Sequence, residues 1–184
     1  MASLKRRPAA PVPDPTPVGK LPLTVAMVVH HEAAVIARAL HSVADVASQI
    51  VVVHDGPCRD QTLTIARRFG AQVFTRPHQG APEPHRPFSF RQAEQPWILQ
   101  LDADEYLTTE LRTALPRLLS QPVTGYKVAW LEELNGRRFF NLTKEALFRK
   151  ELVSFIGVPC EYVKPLSSAA PLVSISAGLV NAPA

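Results

Sequence analysis

The apolar positions of this 184-residue chain follow two patterns over its first two thirds. Short continuous apolar runs rich in β-branched residues are typical of buried strands, whereas apolar side chains recurring every three to four positions indicate amphipathic helices. Residues 23–29 form such a run, and residues 32–43 carry their apolar side chains on one helical face. The same criteria predict further strands at 50–53, 71–75 and 97–101, and further helices at 62–69, 87–95 and 108–119.

The alternation of strand and helix up to residue 119 predicts an α/β fold with a mostly parallel sheet and helices on both of its faces. After Pro122 the apolar positions lose any helical period. We interpret these later segments as strands of a small, antiparallel or mixed C-terminal extension of the sheet. They lie at 125–131, 138–142, 146–149 and 153–156.

The composition is that of one globular domain, which we place at residues 21–164. Hydrophobic residues make up 46% of the chain and charged residues 20%, both ordinary values. Residues 1–20 are rich in proline and lack the apolar stretch of a signal peptide, so we predict a disordered tail. Residues 165–184 are free of charge, but their serines and prolines make a poor membrane span. We expect a flexible C-terminal tail there, or an edge strand at 172–175.

Charge and cysteine content narrow the functional class only slightly. A net charge of +4 permits anionic partners, yet no helix-based reader or aromatic platform for nucleic acid is present, and we expect no nucleic-acid role. The two cysteines, Cys58 and Cys160, give neither a disulfide framework nor a zinc-binding spacing. Two free thiols are typical of a reducing compartment. We therefore expect a cytoplasmic protein, and contact with the inner face of a membrane is compatible with this expectation.

The segment 97–105 places three carboxylates at the exit of an apolar strand. They belong to Asp102, Asp104 and Glu105. Because burying an unpaired carboxylate is costly, three of them indicate an open edge with a cation or hydrogen-bonding ligand. Carboxylate oxygens suit Mg²⁺ or Mn²⁺, which in turn bind phosphates. The alternative is a polar turn in which Asp104 or Glu105 favours the start of the following helix.

Acidic residues also follow the first two predicted strands. Glu32 comes after the first strand and Asp55 after the second. The carboxyl ends of parallel strands lie along one edge of a sheet, where open α/β folds bind their ligands. Together with Arg86, in the loop before the fourth strand's helix, these acids indicate a nucleotide site. The alternative for Asp55 is a turn-forming role before Gly56 and Pro57.

Three blocks of the chain resemble the N-terminal motifs of family 2 glycosyltransferases, which have the GT-A fold, a three-layer α/β/α sandwich. The blocks are residues 28–32, 54–62 and 97–105, and the resemblance covers about residues 22–160. Two later segments, 146–150 and 155–158, resemble the branch that modifies bacterial surface polysaccharide and lipopolysaccharide.

The resemblance implies a role for each matching position. Asp55 would accept a hydrogen bond from the nucleotide base, commonly uracil, and Arg86 would help to hold the nucleotide. Asp102 would face the ribose or a metal-bound water, and Glu32 would support the first loop and the ribose. Asp104 would ligate the Mg²⁺ or Mn²⁺ ion that bridges the diphosphate. A divalent cation opposes the charge that develops on the leaving group, and a carboxylate base activates the acceptor hydroxyl.

The chain also departs from the family pattern. His31 stands where the family usually has asparagine. Cys160 stands where many relatives have a histidine, and a thiol is a poor ligand for Mg²⁺ or Mn²⁺. The chain is short for the family and ends without the motifs that often complete the acceptor side. Glu161 is our candidate for the catalytic base, with Glu132 and Glu133 as weaker alternatives.

The implied function is transfer of a sugar from a nucleotide-diphosphate donor, with a UDP-sugar favoured, to a saccharide or glycolipid acceptor. The family implies inversion of the anomeric carbon, and peripheral membrane association is compatible with a glycolipid acceptor. A first alternative is a degenerate relative that binds a nucleotide sugar without catalysis. A second is a phosphotransfer enzyme with an aspartyl nucleophile at Asp102, but the chain lacks that class's downstream lysine and acidic pair.

Overall fold

The structure is a computed structural model that describes residues 19–135, 137–158, 161–165 and 172–181. Apart from Gly19 and Lys20, the predicted N-terminal tail lies outside this part of the chain. The helices are α1 (Ile36–Val43), α2 (Thr62–Arg68), α3 (Arg86–Arg91) and α4 (Thr109–Leu119). The strands are β1 (Leu21–Val29), β2 (Ala47–Asp55), β3 (Gln72–Arg76), β4 (Trp97–Gln100), β5 (Glu105–Leu107), β6 (Gly125–Leu134), β7 (Arg137–Arg149), β8 (Val153–Val158), β9 (Glu161–Pro165) and β10 (Val173–Asn181).

One mixed sheet organises the molecule, in the order β3-β2-β1-β4-β7-β6-β10-β5. Its first four strands are parallel, as the strand–helix alternation predicts. β7 then runs antiparallel to β4, and β6 antiparallel to β7. β10 is parallel to β6 and antiparallel to β5, while β8 and β9 form a separate hairpin. The α/β class and the mixed character of the later strands are therefore confirmed.

Helices cover both faces of the sheet. On one face, α1 presents apolar side chains at the spacing of one helical stripe, and these pack with α2 and α4 into the main core. On the other face, Phe90 of α3 packs against Ile98 and Phe148. β1 is almost wholly buried from Leu23 to Val29, as expected for a strand covered on both sides. None of the described helices is long and apolar enough to cross a membrane.

Two helix ends show how side chains set local boundaries. α4 begins after Thr108, whose Oγ1 accepts a hydrogen bond from the Leu111 amide at 3.1 Å. α3 ends at Arg91, four residues before the predicted end. Beyond it, Gln49 Oε1 accepts the Glu94 amide at 2.8 Å and Thr24 accepts the Gln95 amide at 3.2 Å. Side chains of β1 and β2 thus accept the hydrogen bonds that these amides would donate within a longer helix.

The C-terminal segment differs from the predicted tail. Residues 173–181 form β10, which pairs with β6 from Val173 to Ile175 and from Gly178 to Asn181. Its last three residues also pair with β5, so this part of the strand is internal. The proposed edge strand at 172–175 corresponds to the start of β10. Two of the four serines of this segment, Ser174 and Ser176, lie on a strand whose apolar end, at Leu179 and Val180, is buried.

Gly178 is a position where only glycine fits. A Cβ there would lie 2.1 Å from the backbone oxygen of Ala129 on β6, at an irregularity in the strand pairing. Because the obstructing atom belongs to the backbone, the sheet must shift to admit a methyl group. We expect Gly178→Ala to lower the free energy of unfolding by about 1–3 kcal/mol in urea denaturation. Gly19→Ala, where a Cβ meets nothing within 4 Å, is the control, and equal stability of the two variants would contradict the prediction.

Candidate active site

The predicted acidic strand ends do meet at one edge of the sheet. β1 lies between β2 and β4, and all three strands are parallel, so their carboxyl ends are neighbours. Glu32 follows β1, and Asp55 is the last residue of β2. One residue separates Asp102 from the end of β4. The strand order thus brings the three acids to one edge of the sheet, where each makes different contacts.

Asp102 is held by two cations. Arg86 Nη2 donates to Asp102 Oδ1 at 2.9 Å, and Lys144 Nζ donates to Asp102 Oδ2 at 2.7 Å. Burial by itself would raise the pKa of Asp102, but the positive charges of Lys144 and Arg86 outweigh burial and hold the pKa well below its usual range. Asp102 is therefore a fixed anion, and Arg86, almost completely buried, is oriented by it.

Lys144 is a site residue that the sequence did not reveal. Its ammonium group also donates to both carboxylate oxygens of Glu105, at 2.8 and 2.7 Å. Glu105 is 1% exposed, and its Oε2 additionally accepts the Asp102 amide at 2.9 Å. Burial would lower the pKa of Lys144, but the two carboxylates raise it, so Lys144 stays charged. The acidic exit of β4 is thus locked against β7 by a buried ion cluster of Arg86, Asp102, Glu105 and Lys144.

Asp55 is buried and fully engaged with the loop that follows β3. Its Oδ1 accepts the Gln79 amide at 2.6 Å and His85 Nε2 at 2.8 Å. Its Oδ2 accepts the Gly80 amide at 2.9 Å and lies 3.0 Å from His78 Nδ1. Burial alone would raise the pKa of Asp55, but these donors lower it to about 2. Asp55 therefore fixes the loop around residues 78–85 against the sheet, beyond the simple turn before Gly56 that local sequence suggested.

The histidine at position 31 adopts a backbone conformation that asparagine also favours. His31 has φ = 54°, in the left-handed region. Asparagine, aspartate and histidine are the non-glycine residues enriched there. The departure from the family pattern at this position is therefore compatible with the same loop conformation.

Asp104 and Glu32 are two further acids of this site, and their negative charges influence each other. Asp104 Oδ2 accepts a hydrogen bond from Asn181 of β10 at 2.8 Å, and within the described residues its other oxygen has no hydrogen-bond partner. Burial raises the pKa of Glu32, and the negative charge of Asp104 is the next largest cause. This excess of negative charge, carried by oxygen atoms, is the environment that Mg²⁺ or Mn²⁺ prefers.

Asp60 binds backbone amides, as expected for a residue at the start of a helix. Its Oδ1 accepts the Thr62 amide at 2.9 Å, and its Oδ2 accepts the Ala33 amide at 3.2 Å. It therefore ties the loop after β1 to the start of α2. Burial would raise the pKa of Asp60, but these hydrogen bonds outweigh it and lower the pKa.

We expect Asp60→Ala to cost about 1–2 kcal/mol of stability at pH 7, because two amides lose a charged acceptor. A carboxyl whose pKa is lower in the folded than in the unfolded state stabilises the fold above its unfolded pKa, and this contribution is lost as pH falls. The difference between the wild-type chain and Asp60→Ala should accordingly shrink below about pH 4. Urea denaturation from pH 7 to pH 3 tests this, and a constant difference would contradict it.

Two cavities open beside the acids. The first, of about 170 Å³, lies at the ends of β1 and β2. The second, of about 490 Å³, lies beside Asp102, between α3 and strands β6 and β7. Gln100 and Trp130 line this second cavity, and both polar atoms of the Gln100 side chain, together with Trp130 Nε1, are buried without a hydrogen-bond partner in the described structure. The first cavity is lined by Val28, Val29, His30, Glu32, Asp55, His78, Gly80, Ala81 and Pro82.

The structure describes the remaining residues that the sequence analysis singled out to different extents. Cys160 lies outside the described residues. Glu161 begins β9, where its backbone pairs with Val158, but its side chain is outside the described part of the chain. Glu133 is engaged at the rim of the sheet, where its carboxylate accepts the Tyr106 hydroxyl and lies 3.9 Å from Arg138 Nε. Glu161 remains our prediction for this role.

Comparisons with known proteins agree on one protein family. Residues 24–161 match the model of the family described as glycosyl transferase family 2. An uncharacterized glycosyltransferase of Rickettsia prowazekii is 30% identical over 138 residues, which are 70% of this chain and 47% of the relative. The lipopolysaccharide core biosynthesis glycosyltransferase LpsC of Rhizobium meliloti is 30% identical over 119 residues, which are 61% of this chain and 43% of LpsC. The chain thus spans about half the length of the curated relatives it matches.

Solved structures share the fold. Residues 1–349 of S. aureus TarS in complex with UDP-GlcNAc superpose with a TM-score of 0.57 at 20% identity, covering 71% of this chain and 46% of that one. Glucosyl-3-phosphoglycerate synthase of Mycobacterium tuberculosis gives a TM-score of 0.52 at 18% identity, covering 71% of this chain and 57% of that one. The α/β fold of the GT-A type, expected from the sequence, is confirmed.

Proposed function

This chain belongs to glycosyl transferase family 2, as its match over residues 24–161 shows, and we propose that it transfers a sugar from a nucleotide-diphosphate donor to an acceptor hydroxyl. The observation that carries the proposal is the meeting of Glu32, Asp55 and Asp102 at one sheet edge, beside the 170 Å³ cavity. A UDP-sugar is the donor we favour, since the structural relative TarS is known in complex with UDP-GlcNAc. As in the family, we expect inversion at the anomeric carbon.

In this proposal the nucleotide base and ribose occupy the cavity at the ends of β1 and β2. Asp55 accepts a hydrogen bond from the base, and Glu32 supports the ribose. Because four donors already surround the Asp55 carboxylate, one of them has to leave when the base arrives. His78 is the donor that can do so, since 57% of its side chain is exposed. Nucleotide binding is thus expected to rearrange the loop after β3.

The diphosphate is assigned to the region of Asp102, Asp104 and Arg86. Asp104 would hold Mg²⁺ or Mn²⁺, with Asp102 facing the ribose or a water bound to the ion. Such an ion supplies charge that offsets the negative charge building on the leaving diphosphate. Asn181 holds Asp104 in position through its hydrogen bond at 2.8 Å. Arg86, fixed by Asp102, adds a second positive group near the same phosphates.

The 490 Å³ cavity is the place we assign to the transferred sugar. Buried polar groups without partners are costly, so a cavity that presents them is suited to a polar ligand. Gln100 offers one donor and one acceptor group there, and Trp130 offers an indole N–H. Hydroxyl groups of a hexose would satisfy all three once the two side chains turn these buried atoms towards the cavity. Glu161 would then act as the base that removes a proton from the acceptor hydroxyl.

A saccharide or glycolipid of the cell surface is the acceptor class we favour, in line with the lipopolysaccharide role in the name of LpsC. The far ends of β6 and β7 support membrane proximity. Large apolar side chains, including Phe139 and Phe140, are exposed there, next to Arg137 and Arg138. Exposed aromatics with basic neighbours are typical of surfaces that bind anionic membranes. Sedimentation with anionic vesicles should be reduced by Phe139→Ser/Phe140→Ser, and equal sedimentation would remove this support.

A thermal-shift screen of nucleotides and nucleotide sugars, with and without Mn²⁺, tests the proposed function. A ligand that binds only the folded state raises the melting temperature by mass action, so weak donors also register. UDP-sugars should stabilise the chain, and more so with Mn²⁺. Release of UDP in the presence of a saccharide or glycolipid acceptor would then show transfer. Stabilisation without UDP release, across an acceptor panel, would instead indicate the non-catalytic alternative.

A further inference from the structure

Five of the six histidines of the chain gather at the ends of β1 and β2. The ring centres of His30 and His31 are 4.2 Å apart, and those of His30 and His78 are 5.1 Å apart. His54 lies 5.6 Å from His30, and His85 contacts Asp55. The proposed sugar transfer gives these rings no chemical role, so their concentration at this one place calls for a separate explanation.

The hydrogen bonds define the tautomers of two of these rings, His30 and His31. His30 Nδ1 lies 2.7 Å from the carbonyl oxygen of Asp55 and must donate to it. His30 Nε2 is then an acceptor for His31 Nδ1 at 3.0 Å, and His31 Nε2 accepts the Arg59 amide at 3.2 Å. A chain of neutral imidazoles results, and neutral imidazole is the form that binds metal ions.

We propose that His30, Asp55 and His78 form a binding site for a transition-metal ion of the Zn²⁺ type, separate from the Mg²⁺ or Mn²⁺ position at Asp104. One ligand atom from each of these three residues lies within 4.8 Å of the others. On a tetrahedral ion with bonds of about 2.0–2.2 Å, such atoms are about 3.3–3.5 Å apart. To reach that geometry, both exposed histidine side chains have to rotate, and His30 has to give up one of its two ring hydrogen bonds, to the Asp55 carbonyl or to His31.

The donor set selects the metal. Two imidazole nitrogens and one carboxylate oxygen favour Zn²⁺ over Mg²⁺, and at a nitrogen-containing site Mn²⁺ binds weakest of the common first-row ions. His78 Nδ1 lies 3.0 Å from Asp55 Oδ2, so an ion between them would replace the shared proton. His78 needs only to move that proton to its other ring nitrogen. With three protein ligands, a fourth position stays open for water or a ligand.

Occupancy of this site would change the nucleotide cavity. His30, Asp55 and His78 all line the 170 Å³ cavity at the ends of β1 and β2. An ion held there would fix the His78 side chain that has to leave when a base reaches Asp55. We therefore expect Zn²⁺ and a nucleotide to compete in the absence of Mn²⁺, a consequence that rests on the proposed function, whereas Zn²⁺ binding itself does not.

Titration of the metal-free chain with Zn²⁺ against a chromogenic chelator tests the site. We expect one tight equivalent, and a loss of at least about 10-fold in affinity in each of His30→Gln and His78→Gln. His41→Gln is the matched control, because His41 lies in α1, away from the cluster, and its Zn²⁺ affinity should equal that of the wild-type chain. Urea denaturation confirms that each variant is folded. Unchanged affinity in both cluster variants would overturn the site.

A second group of candidate ligands lies nearby: His54, Cys58 and Asp60 also have ligand atoms within 4.8 Å of one another. The absorption spectrum of bound Co²⁺ distinguishes this group from the proposed site. A thiolate-to-Co²⁺ charge-transfer band that disappears in Cys58→Ser would place the ion there and overturn the proposal. A Co²⁺ spectrum without that band supports His30, Asp55 and His78. If Zn²⁺ and UDP both bind and neither weakens the binding of the other, the inference that they share one cavity is wrong. If UDP does not bind at all, the proposed function fails while the Zn²⁺ titration still decides the site.

Discussion

Lys144→Met is expected to lower the free energy of unfolding by about 3 kcal/mol. The substitution leaves Glu105, which is 1% exposed, without the ammonium group that contacts both of its carboxylate oxygens. Asp102 would keep only Arg86. Removing one partner of a buried ion pair is costly chiefly because the other charge remains buried and uncompensated. Chemical denaturation at pH 7 measures the loss.

Lys127→Met is the matched control for this prediction. Lys127 lies on the neighbouring strand and pairs with Glu145 at 2.9 Å, but 40% of its side chain is exposed, against 15% for Lys144. An exposed pair contributes about 0–1 kcal/mol. The double variant Lys144→Met/Glu105→Gln should recover part of the loss, because the uncompensated charge is gone. Equal stability of Lys144→Met and Lys127→Met would show that the ion cluster does not hold β4 against β7.

Asp104→Asn is expected to weaken UDP binding in the presence of Mn²⁺ by about 10- to 100-fold. Asparagine keeps the shape of the side chain and an oxygen that can accept from Asn181, so the fold should be unchanged. It removes the negative charge that would hold the ion. UDP binding measured in EDTA should therefore be the same for the variant and the wild-type chain. Isothermal titration calorimetry of UDP under both conditions measures the two effects.

Glu110→Gln provides the control for Asp104→Asn, since Glu110 is an exposed acid in the first turn of α4 and lies outside the acidic edge. It should bind UDP with Mn²⁺ as the wild-type chain does. An equal loss in both variants would point to a general effect of charge. Unchanged Mn²⁺-dependent binding in Asp104→Asn would remove Asp104 as a metal ligand.

The strands that carry the proposed donor site could be predicted from local sequence. The apolar runs of β1, β2 and β4 are continuous because these strands are covered on both faces, and such runs are readable without knowledge of partners. Once three parallel strands are predicted, topology alone brings their carboxyl ends together. This is why Glu32, Asp55 and Asp102 could be assigned to one edge from the sequence, and why the resemblance to family 2 glycosyltransferases was found in the same three blocks.

The partners of these acids could not be predicted in the same way, because they are distant in sequence. Lys144 contacts Asp102 across 42 positions and depends on the pairing of β7 with β4, which no local pattern specifies. Residue 144 lies between the predicted strands 138–142 and 146–149, which the structure joins into the single strand β7, so no local pattern pointed to Lys144. The hydrogen bonds of Asp55 to the loop after β3 likewise arise from how a proline-rich loop packs, which periodicity does not describe.

The full extent of the C-terminal strand β10 could not be predicted from composition either. Residues 173–181 contain serines and glycine, and Pro171 precedes them, so composition favoured a tail. The segment becomes β10 because β6 offers a parallel partner and Gly178 allows the two backbones to approach closely. Asn181, at the end of this strand, then reaches Asp104. A segment with the composition of a tail thus supports the proposed metal ligand.

Calorimetric titration of UDP into the wild-type chain, in Mn²⁺ and in EDTA, tests the central claim of a nucleotide-diphosphate donor site most directly. The expected result is saturable binding of UDP that Mn²⁺ strengthens, together with binding of uridine that Mn²⁺ leaves unchanged, because only the diphosphate would reach the ion at Asp104. Absence of binding by UDP, GDP and TDP at millimolar concentration, with or without Mn²⁺, would contradict the claim.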